Sequence, residues 1–225
     1  MTMTHPMAVV LFDGEQFVAP LADTLGVPVH AVSPDTVTDT VTGLASDTSR
    51  IICVSAWPWP AHQALHDKLS EQVAAYRGVV SWHQLPGLAR ALADVLGGAV
   101  RNQAHVLFTS PDPGRDAPPE TLMFLPQLAE QVSQLVALPG RSIAWRGTSR
   151  KPSSLEALNA LIDAHDVATI VECPVVPAVA GDETLRAHAE SRGVRFIACD
   201  LGVSTRVGLL QQVIQTVEQA EWLTN

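Results

Sequence analysis

The sequence predicts an α/β protein made of two related halves, each a four-stranded parallel sheet flanked by helices. Short apolar runs rich in β-branched residues alternate with longer segments of helical spacing, which is typical of parallel sheets. The runs form two groups of four, and the order of elements is the same in both groups. Landmarks of the first group also recur in the second, at one offset for the first strand and at a larger one further along the chain.

The predicted strands share a short length and a high content of Val, Ile and other apolar residues. They are 8–12, 27–31, 50–55 and 79–82 in the first half, and 106–109, 142–145, 169–173 and 195–199 in the second.

The predicted helices lie between these strands and after the last one. They are 16–25, 35–45, 62–76 and 86–96, then 118–138, 153–164, 182–191 and 204–222. Ser153 and Ser154, with Glu156 in the first turn, are typical of a helix start. The segment 35–45 is the least typical helix, because its threonines and valines favour a strand.

The repetition predicts a divergent duplication, divided into an N-terminal half, 1–101, and a C-terminal half, 102–225. The offset between landmarks grows along the chain, and one insertion within 110–140 accounts for the growth. The landmark pairs are Phe12 and Phe108 at an offset of 96 (108 − 12), and Pro34 and Pro152 at 118 (152 − 34).

Composition excludes several classes of protein. The 225 residues are 47% hydrophobic and 16% charged, which is typical of a folded chain. A net charge of −9 argues against a nucleic-acid partner, since a phosphate backbone is neutralised by clustered Lys and Arg. The longest apolar stretch, 167–181, is too short to span a bilayer, and residues 1–6 lack a secretory signal. We therefore expect a cytoplasmic protein with no membrane association.

The three cysteines form no closely spaced pair of the kind that binds zinc or runs redox chemistry. Cys53, Cys173 and Cys199 all lie in apolar, strand-like runs. They are predicted to be buried, reduced thiols.

Four stretches of the second half resemble the class II chelatases, which insert iron, cobalt or nickel into sirohydrochlorin and related tetrapyrroles. The first is a strand with the turn Phe108–Gly114, where the family has a His-Gly-Ser-Arg-Asp-Pro type of turn. The others are Pro152–Leu158, which matches a Pro-Ser-Leu segment and helix, Ile170–Glu183, which leads to a Gly-x-His type of loop, and the Leu-Gly turn Asp200–Gly202. The resemblance covers about residues 105–217, and the first half follows it more faintly.

The resemblance implies two duplicated chelatase-like domains that act on a tetrapyrrole, with Fe²⁺ or Co²⁺ as a substrate and no organic cofactor. It also implies a histidine at the end of the first strand as metal ligand and proton acceptor. Both halves depart from this pattern, because Phe12 and Phe108 stand at that position. Phenylalanine neither binds a metal nor accepts a proton.

Other residues after the strands are candidates for the missing chemistry, because ligands of parallel α/β domains bind outside the carboxyl ends of the strands. His62 and His66 have i, i+4 spacing, which puts both on one helix face and suits a shared metal, or two surface histidines. Glu183 stands where the family histidine is expected, and is either a metal ligand and catalytic group or, with Asp182, part of a helix cap.

Substrate-binding candidates come from three segments. Trp57 and Trp59 offer indole faces that stack on a macrocycle or pack inside the protein. The segment 146–151 is the one dense basic cluster of the sequence, and either binds substrate carboxylates or is a solvated loop. Its candidates are Arg146, Arg150 and Lys151, and Ser110 joins them from the turn after the strand at 106–109.

Two functions follow as hypotheses. One is a lyase of the metal-chelatase type in sirohaem or cobalamin biosynthesis, with His62, His66 and Glu183 binding the metal and His62 and Glu183 in catalysis. The other is an inactive paralogue that binds a tetrapyrrole or a partner enzyme, and a homodimer is a further possible assembly. Phosphate or nucleotide binding at the Gly14 and Ser110 turns ranks last, because no glycine-rich nucleotide signature is present.

Overall fold

Strands and helices alternate throughout the described parts of the chain. The structure, a computed structural model, describes residues 7–12, 15–33, 35–55, 63–81, 87–100, 104–115, 117, 119–147, 149–164, 167–175 and 182–222. The strands are β1 Met7–Phe12, β2 Val29–Val32, β3 Arg50–Ser55, β4 Tyr76–Ser81, β5 Ala104–Pro111, β6 Gly140–Arg146, β7 Thr169–Pro174 and β8 Arg195–Ala198. The helices are α1 Glu15–Leu25, α2 Val37–Leu44, α3 Gln63–Gln72, α4 Leu88–Ala99, α5 Pro119–Leu135, α6 Ser154–Ala164, α7 Glu183–Ser191 and α8 Val203–Trp222.

The strands form two four-stranded sheets with the same topology. The orders are β2-β1-β3-β4 and β6-β5-β7-β8, and every described strand pair is parallel. A parallel pair needs a crossover connection, and here a helix supplies each one. The predicted fold class, two sheets of four parallel strands flanked by helices, is confirmed.

The inner strands are buried on both faces. Five consecutive residues of β1, Ala8–Phe12, and five of β5, Val106–Ser110, are buried. Helices cover both faces of such a sheet, so its strands read as continuous apolar runs rather than as alternating ones. This pattern explains why both strands are visible in the sequence.

Helix α2 forms in spite of its poor helix propensity. Val37 and Val41 lie one turn apart and are both fully buried against the first sheet. The hydroxyls of Thr40 and Thr42 donate to the carbonyl oxygens four residues earlier, at 3.0 and 2.8 Å. Burial of one face therefore outweighs the β preference of valine and threonine.

The chain divides into two compact units, and each unit contains one helix from the other half of the sequence. One unit contains β1–β4 with α1, α2, α3 and α8, and the other contains α4 with β5–β8 and α5, α6 and α7. Within the units α8 packs against α1 and β4, and α4 packs against α5 and β7. The compact units therefore differ from the predicted halves, 1–101 and 102–225. Those halves describe a sequence repeat, and in that sense they stay a prediction.

The second half is longer at two places, where the sequence predicted one insertion. It has 14 more residues from the start of its first strand to the start of its second (111 − 97), and 8 more from the start of its second strand to the start of its third (119 − 111). The second difference is spread over three elements. Strand β6 is longer than β2, the loop after β6 is longer than the loop after β2, and α6 is longer than α2. The offsets between equivalent strand starts are 97 (104 − 7), 111 (140 − 29), 119 (169 − 50) and 119 (195 − 76).

None of the helices, as far as the structure describes them, has the length and apolar character needed to cross a bilayer.

Candidate functional site

Polar side chains collect at the carboxyl ends of the first three strands of the second unit. β5 ends with Thr109, Ser110 and Pro111, β6 ends with Arg146, and β7 passes through Glu172 before its end. Because the carboxyl ends of parallel strands meet at one edge of a sheet, these groups lie close together. We call this part of the unit the polar edge.

Glu172 is fully buried and is the centre of the first network at the polar edge. Its Oε1 accepts hydrogen bonds from the Thr109 hydroxyl at 2.9 Å and from Arg146 Nη2 at 2.5 Å. Its Oε2 accepts the backbone N–H of Asp182 at 2.9 Å. Arg146 Nε also donates to Thr109 Oγ1 at 3.2 Å. A buried charge is tolerated when it is paired and hydrogen-bonded in this way.

The register of the strands shows what stands at these positions in the first unit. Leu107 pairs with Glu172 on the sheet face that packs against α6 and α7, and Val10 pairs with Cys53 on the equivalent face of the first sheet. Side chains alternate along a strand, so Thr109 corresponds to Phe12. Phe12 and Cys53 thus occupy the positions of Thr109 and Glu172.

This register also shifts the sequence alignment by one residue. The sequence comparison equates Phe12 with Phe108, whereas Phe12 shares its position in the sheet with Thr109. Both phenylalanines are fully buried. The replacement of a family histidine by phenylalanine stays a prediction of the resemblance.

Asp112 is the centre of the second network. Its Oδ2 accepts hydrogen bonds from the Ser149 backbone N–H at 2.7 Å, the Ser149 hydroxyl at 2.5 Å and the Arg150 backbone N–H at 3.1 Å. Its Oδ1 accepts the Gly114 N–H at 2.9 Å, and its own N–H donates to the Arg146 carbonyl at 2.9 Å. Partial burial raises the pKa of Asp112, but these hydrogen bonds outweigh it and hold that pKa below its ordinary value.

Gly147 brings the backbone close to Asp112. Its φ is +149°, and a Cβ added there would lie 2.4 Å from the Asp112 Cβ. Only glycine accepts both this backbone conformation and this proximity. Further along, Arg150 Nε donates to the Gly114 carbonyl at 3.1 Å and Arg150 Nη2 to the Arg115 carbonyl at 2.7 Å. The loop after β6 is therefore bound to the loop after β5. We call Gly147, Ser149, Arg150 and Lys151 the basic loop.

The basic loop leads directly into α6 through a capping box. Glu156 Oε2 accepts the Ser153 N–H and hydroxyl at 2.9 Å each, and the Glu156 N–H donates to Ser153 Oγ at 3.3 Å. This confirms the predicted helix start. Lys151 forms an ion pair with Glu156, and its side chain is 70% exposed. Hydrogen bonds from Lys151 and Ser153 lower the pKa of Glu156 to about 2.

The predicted substrate-binding residues lie in different surroundings. Ser110 is buried at the end of β5, the Arg146 side chain is 11% exposed within the Glu172 network, and Arg150 and Lys151 belong to the basic loop. The structure brings Arg146, Arg150 and Ser110 to the same polar edge. Trp57 and Trp59 lie outside the described residues.

The predicted metal ligands are only partly described. His62 lies outside the described residues, and His66 belongs to α3 while its side chain is outside the described part. Glu183 is the first residue of α7, its side chain is 76% exposed, and it pairs with Arg186 at 3.3 Å. Asp182 caps the helix, because its carboxylate accepts the N–H groups of Thr184 and Leu185. Within the described ranges, no three His, Cys, Asp or Glu residues form a metal-binding group.

The cysteines are as predicted, buried and free. Burial raises the pKa of Cys53 to about 12 and that of Cys199 to about 11, and raises the pKa of Cys173 well above its ordinary value. A thiol with a raised pKa is a poor nucleophile and metal ligand at neutral pH. These side chains therefore act as small apolar groups of the core.

The first unit has a cavity of about 490 Å³ at the carboxyl end of β2. It is bounded by the start of α1, the end of β2 and the turn before α2. Its lining residues are Glu15, Gln16, Ala31, Val32, Ser33 and Thr36. Of the predicted site residues that the structure describes, none is among those that line this cavity.

No protein-family model matches the chain, and no curated protein matches it. Among solved structures, SirB from Bacillus subtilis, determined with Fe³⁺, matches 96% of this chain over 97% of its own, with a TM-score of 0.66. The chain has the fold of SirB. The sequence identity is 13%, so the likeness shows the fold alone, and it supports the class II chelatase fold that the sequence predicts.

Two solute-binding proteins of sugar transporters also match, with lower TM-scores. The one from Agrobacterium radiobacter, in complex with D-arabinose, has 14% identity and a TM-score of 0.45, over 88% of this chain and 76% of its own. The one from Bordetella parapertussis has 11% identity and a TM-score of 0.47, over 87% and 69%.

Proposed function

We propose that this protein is a sirohydrochlorin-type chelatase, a lyase that inserts Fe²⁺ or Co²⁺ into a carboxylate-rich tetrapyrrole in the cytoplasm. The observation that carries the proposal is the likeness to SirB along almost the full length of both chains. The order of sequence stretches that resemble the class II chelatases supports it independently. The metal is a substrate of this reaction, and no organic cofactor takes part in it.

The polar edge suits a tetrapyrrole that carries eight carboxylates. In a chain of net charge −9, three of the 14 Lys and Arg residues fall within 146–151. Arg146 and Arg150 already donate through Nε and Nη2 to groups of the protein, so they offer the substrate carboxylates positive charge rather than a second use of these donors. The exposed Lys151, which pairs with Glu156, adds an ammonium on a flexible side chain. We assign substrate contacts to Ser110, Arg146, Arg150 and Lys151, and stacking contacts to Trp57 and Trp59.

The chemistry of metal insertion requires a group that binds the divalent ion and a base that accepts the two pyrrole protons. We assign the metal to His62, His66 and Glu183, and proton transfer to His62 and Glu183. Glu183 is well exposed, and its present partner, Arg186, belongs to the same helix turn. Such a surface ion pair contributes little free energy, so it does not prevent the carboxylate from binding a metal.

A second candidate function is that of an inactive paralogue, which binds a tetrapyrrole or a partner enzyme without catalysis. Two observations favour it. The first is that Phe12 and Phe108 carry no metal-binding group. The second is that the carboxylates of Asp112 and Glu172, at the centres of the two networks, already accept hydrogen bonds from the protein itself. A complex with a partner enzyme, or a homodimer, belongs to this proposal.

Metal insertion distinguishes the two functions. Purified protein is mixed with sirohydrochlorin and Co²⁺ without oxygen, and the visible spectrum is followed. We expect a rate above the spontaneous one that is proportional to protein concentration. The double variant His62→Ala with Glu183→Ala should lose about 10²-fold or more of this rate, the usual contribution of acid–base catalysis.

Asp163→Ala, a surface substitution in α6, is the control and should keep the rate. Tight binding of the macrocycle at the spontaneous rate of insertion would support the inactive paralogue instead. Neither binding nor insertion would contradict both functions.

A further inference from the structure

The conformation of the basic loop depends on one carboxylate. Asp112 Oδ2 alone accepts three hydrogen bonds from the loop, two from backbone N–H groups and one from a hydroxyl, at 2.5–3.1 Å. Its Oδ1 accepts the Gly114 N–H and so fixes the neighbouring loop. The two loops meet again where the Arg150 guanidinium donates to the carbonyls of Gly114 and Arg115.

Glycine at position 147 makes this arrangement possible. The loop approaches so closely that the Asp112 Cβ occupies the space of a side chain at position 147. The loop begins immediately after Arg146, whose carbonyl accepts the Asp112 N–H at 2.9 Å. Asp112 is thus tied to the loop through both its backbone and its side chain.

We propose that Asp112 is a positioning residue that holds the basic loop in the conformation that binds the carboxylate fringe of a tetrapyrrole. This inference rests on the proposed function, because it takes the macrocycle as the ligand. An ordered loop loses its conformational entropy on folding rather than on binding, which raises affinity. The Asp112 oxygens already accept hydrogen bonds from four donors of the protein.

The variant Asp112→Asn isolates this role. It keeps the size of the side chain and one acceptor oxygen. The hydrogen bonds to one of the two carboxylate oxygens, Oδ1 or Oδ2, therefore remain possible, and those to the other are lost. If the amide oxygen takes the place of Oδ2, the NH₂ group faces the Gly114 N–H. In the other orientation it faces the N–H groups of Ser149 and Arg150. The matched control is Asp163→Asn, which removes the same charge from an exposed ion pair with Arg192 in the same unit.

Two measurements test the inference on the full-length protein. The first is binding of an octacarboxylate porphyrin and of a dicarboxylate porphyrin, followed by visible absorption. We expect Asp112→Asn to raise the Kd of the octacarboxylate about tenfold, the usual effect of lost hydrogen bonds to a charged group, and to leave the dicarboxylate Kd within about twofold. A purely structural role would weaken both ligands alike. Asp163→Asn should match the wild type with both.

The second measurement is amide hydrogen exchange in the basic loop without ligand. We expect protection in the wild type and in Asp163→Asn, and at least about tenfold faster exchange in Asp112→Asn. Equal exchange in all three proteins, or equal octacarboxylate Kd values, would overturn the positioning role. If the wild type binds no octacarboxylate at all, the proposed function fails with the inference, whereas normal wild-type binding with an unaffected Asp112→Asn overturns only the inference.

Discussion

Replacement of Glu172 by alanine is expected to lower the free energy of unfolding by about 3–5 kcal/mol, the usual cost of removing one partner from a buried ion pair. Glu172 is fully buried, and the Arg146 side chain beside it is 11% exposed. Its removal takes a counter-charge from the guanidinium and an acceptor from both the Thr109 hydroxyl and the Asp182 N–H. Water reaches this part of the unit poorly, so solvation does not replace the lost contacts.

Urea unfolding of the variant and of a matched set measures this effect. The surface ion pair of Asp163 with Arg192 is the control, and Asp163→Ala should cost less than about 1 kcal/mol. The double variant Glu172→Met with Arg146→Met should be more stable than Glu172→Ala, because two apolar groups leave no buried charge behind. A cost below about 1 kcal/mol for Glu172→Ala would contradict this expectation and would show that water solvates the network.

Replacement of Gly147 by alanine is also expected to lower the free energy of unfolding, by about 2–4 kcal/mol. Part of the cost is backbone strain, about 1–3 kcal/mol for a non-glycine residue in such a conformation. The rest comes from overlap, because the new Cβ lies 2.4 Å from the Asp112 Cβ and neither atom is at the end of a flexible chain. The variant either loses the hydrogen bonds of Asp112 or displaces the end of β6.

A second glycine separates the two causes. Gly193 has a φ of +77°, and a Cβ added there meets nothing within 4 Å. Gly193→Ala therefore pays for backbone strain alone and should cost about 1 kcal/mol, less than Gly147→Ala. Urea unfolding of both variants gives the comparison. Equal costs would mean that the basic loop is free to move away from Asp112, and would contradict the close packing of Gly147 on Asp112.

The fold was predictable because its signal is local. Buried parallel strands read as apolar runs, and the helices between them carry caps such as Ser153 with Glu156. Even α2, whose residues favour a strand, was predictable from its position between two parallel strands, which need a crossover. The sequence did not predict that α4 belongs to the unit of β5–β8 and α8 to the unit of β1–β4. No local pattern indicates which of two similar sheets a helix covers.

The polar edge was predicted only in part. The basic cluster at 146–151 is dense enough to be noticed in the sequence. Glu172 was missed because it stands within an apolar run, and its partners are 63 and 26 residues away in sequence. Asp112 lies in the loop after β5 rather than in an apolar run, and it was missed because its partner Ser149 is 37 residues away in sequence. A lone acidic residue inside the apolar strand predicted at 169–173 was the available signal for Glu172, because a buried charge needs a partner.

We propose that the polar edge of the second unit binds a carboxylate-rich macrocycle. The most direct test is a titration of isotope-labelled protein with an octacarboxylate porphyrin, followed through the backbone N–H signals in two-dimensional NMR spectra. We expect saturable shifts concentrated at 109–115, 145–151 and 172–175, the carboxyl ends of β5, β6 and β7 with their loops. Shifts at the amino ends of these strands with none at the basic loop, or no saturable shifts at all, would contradict the claim.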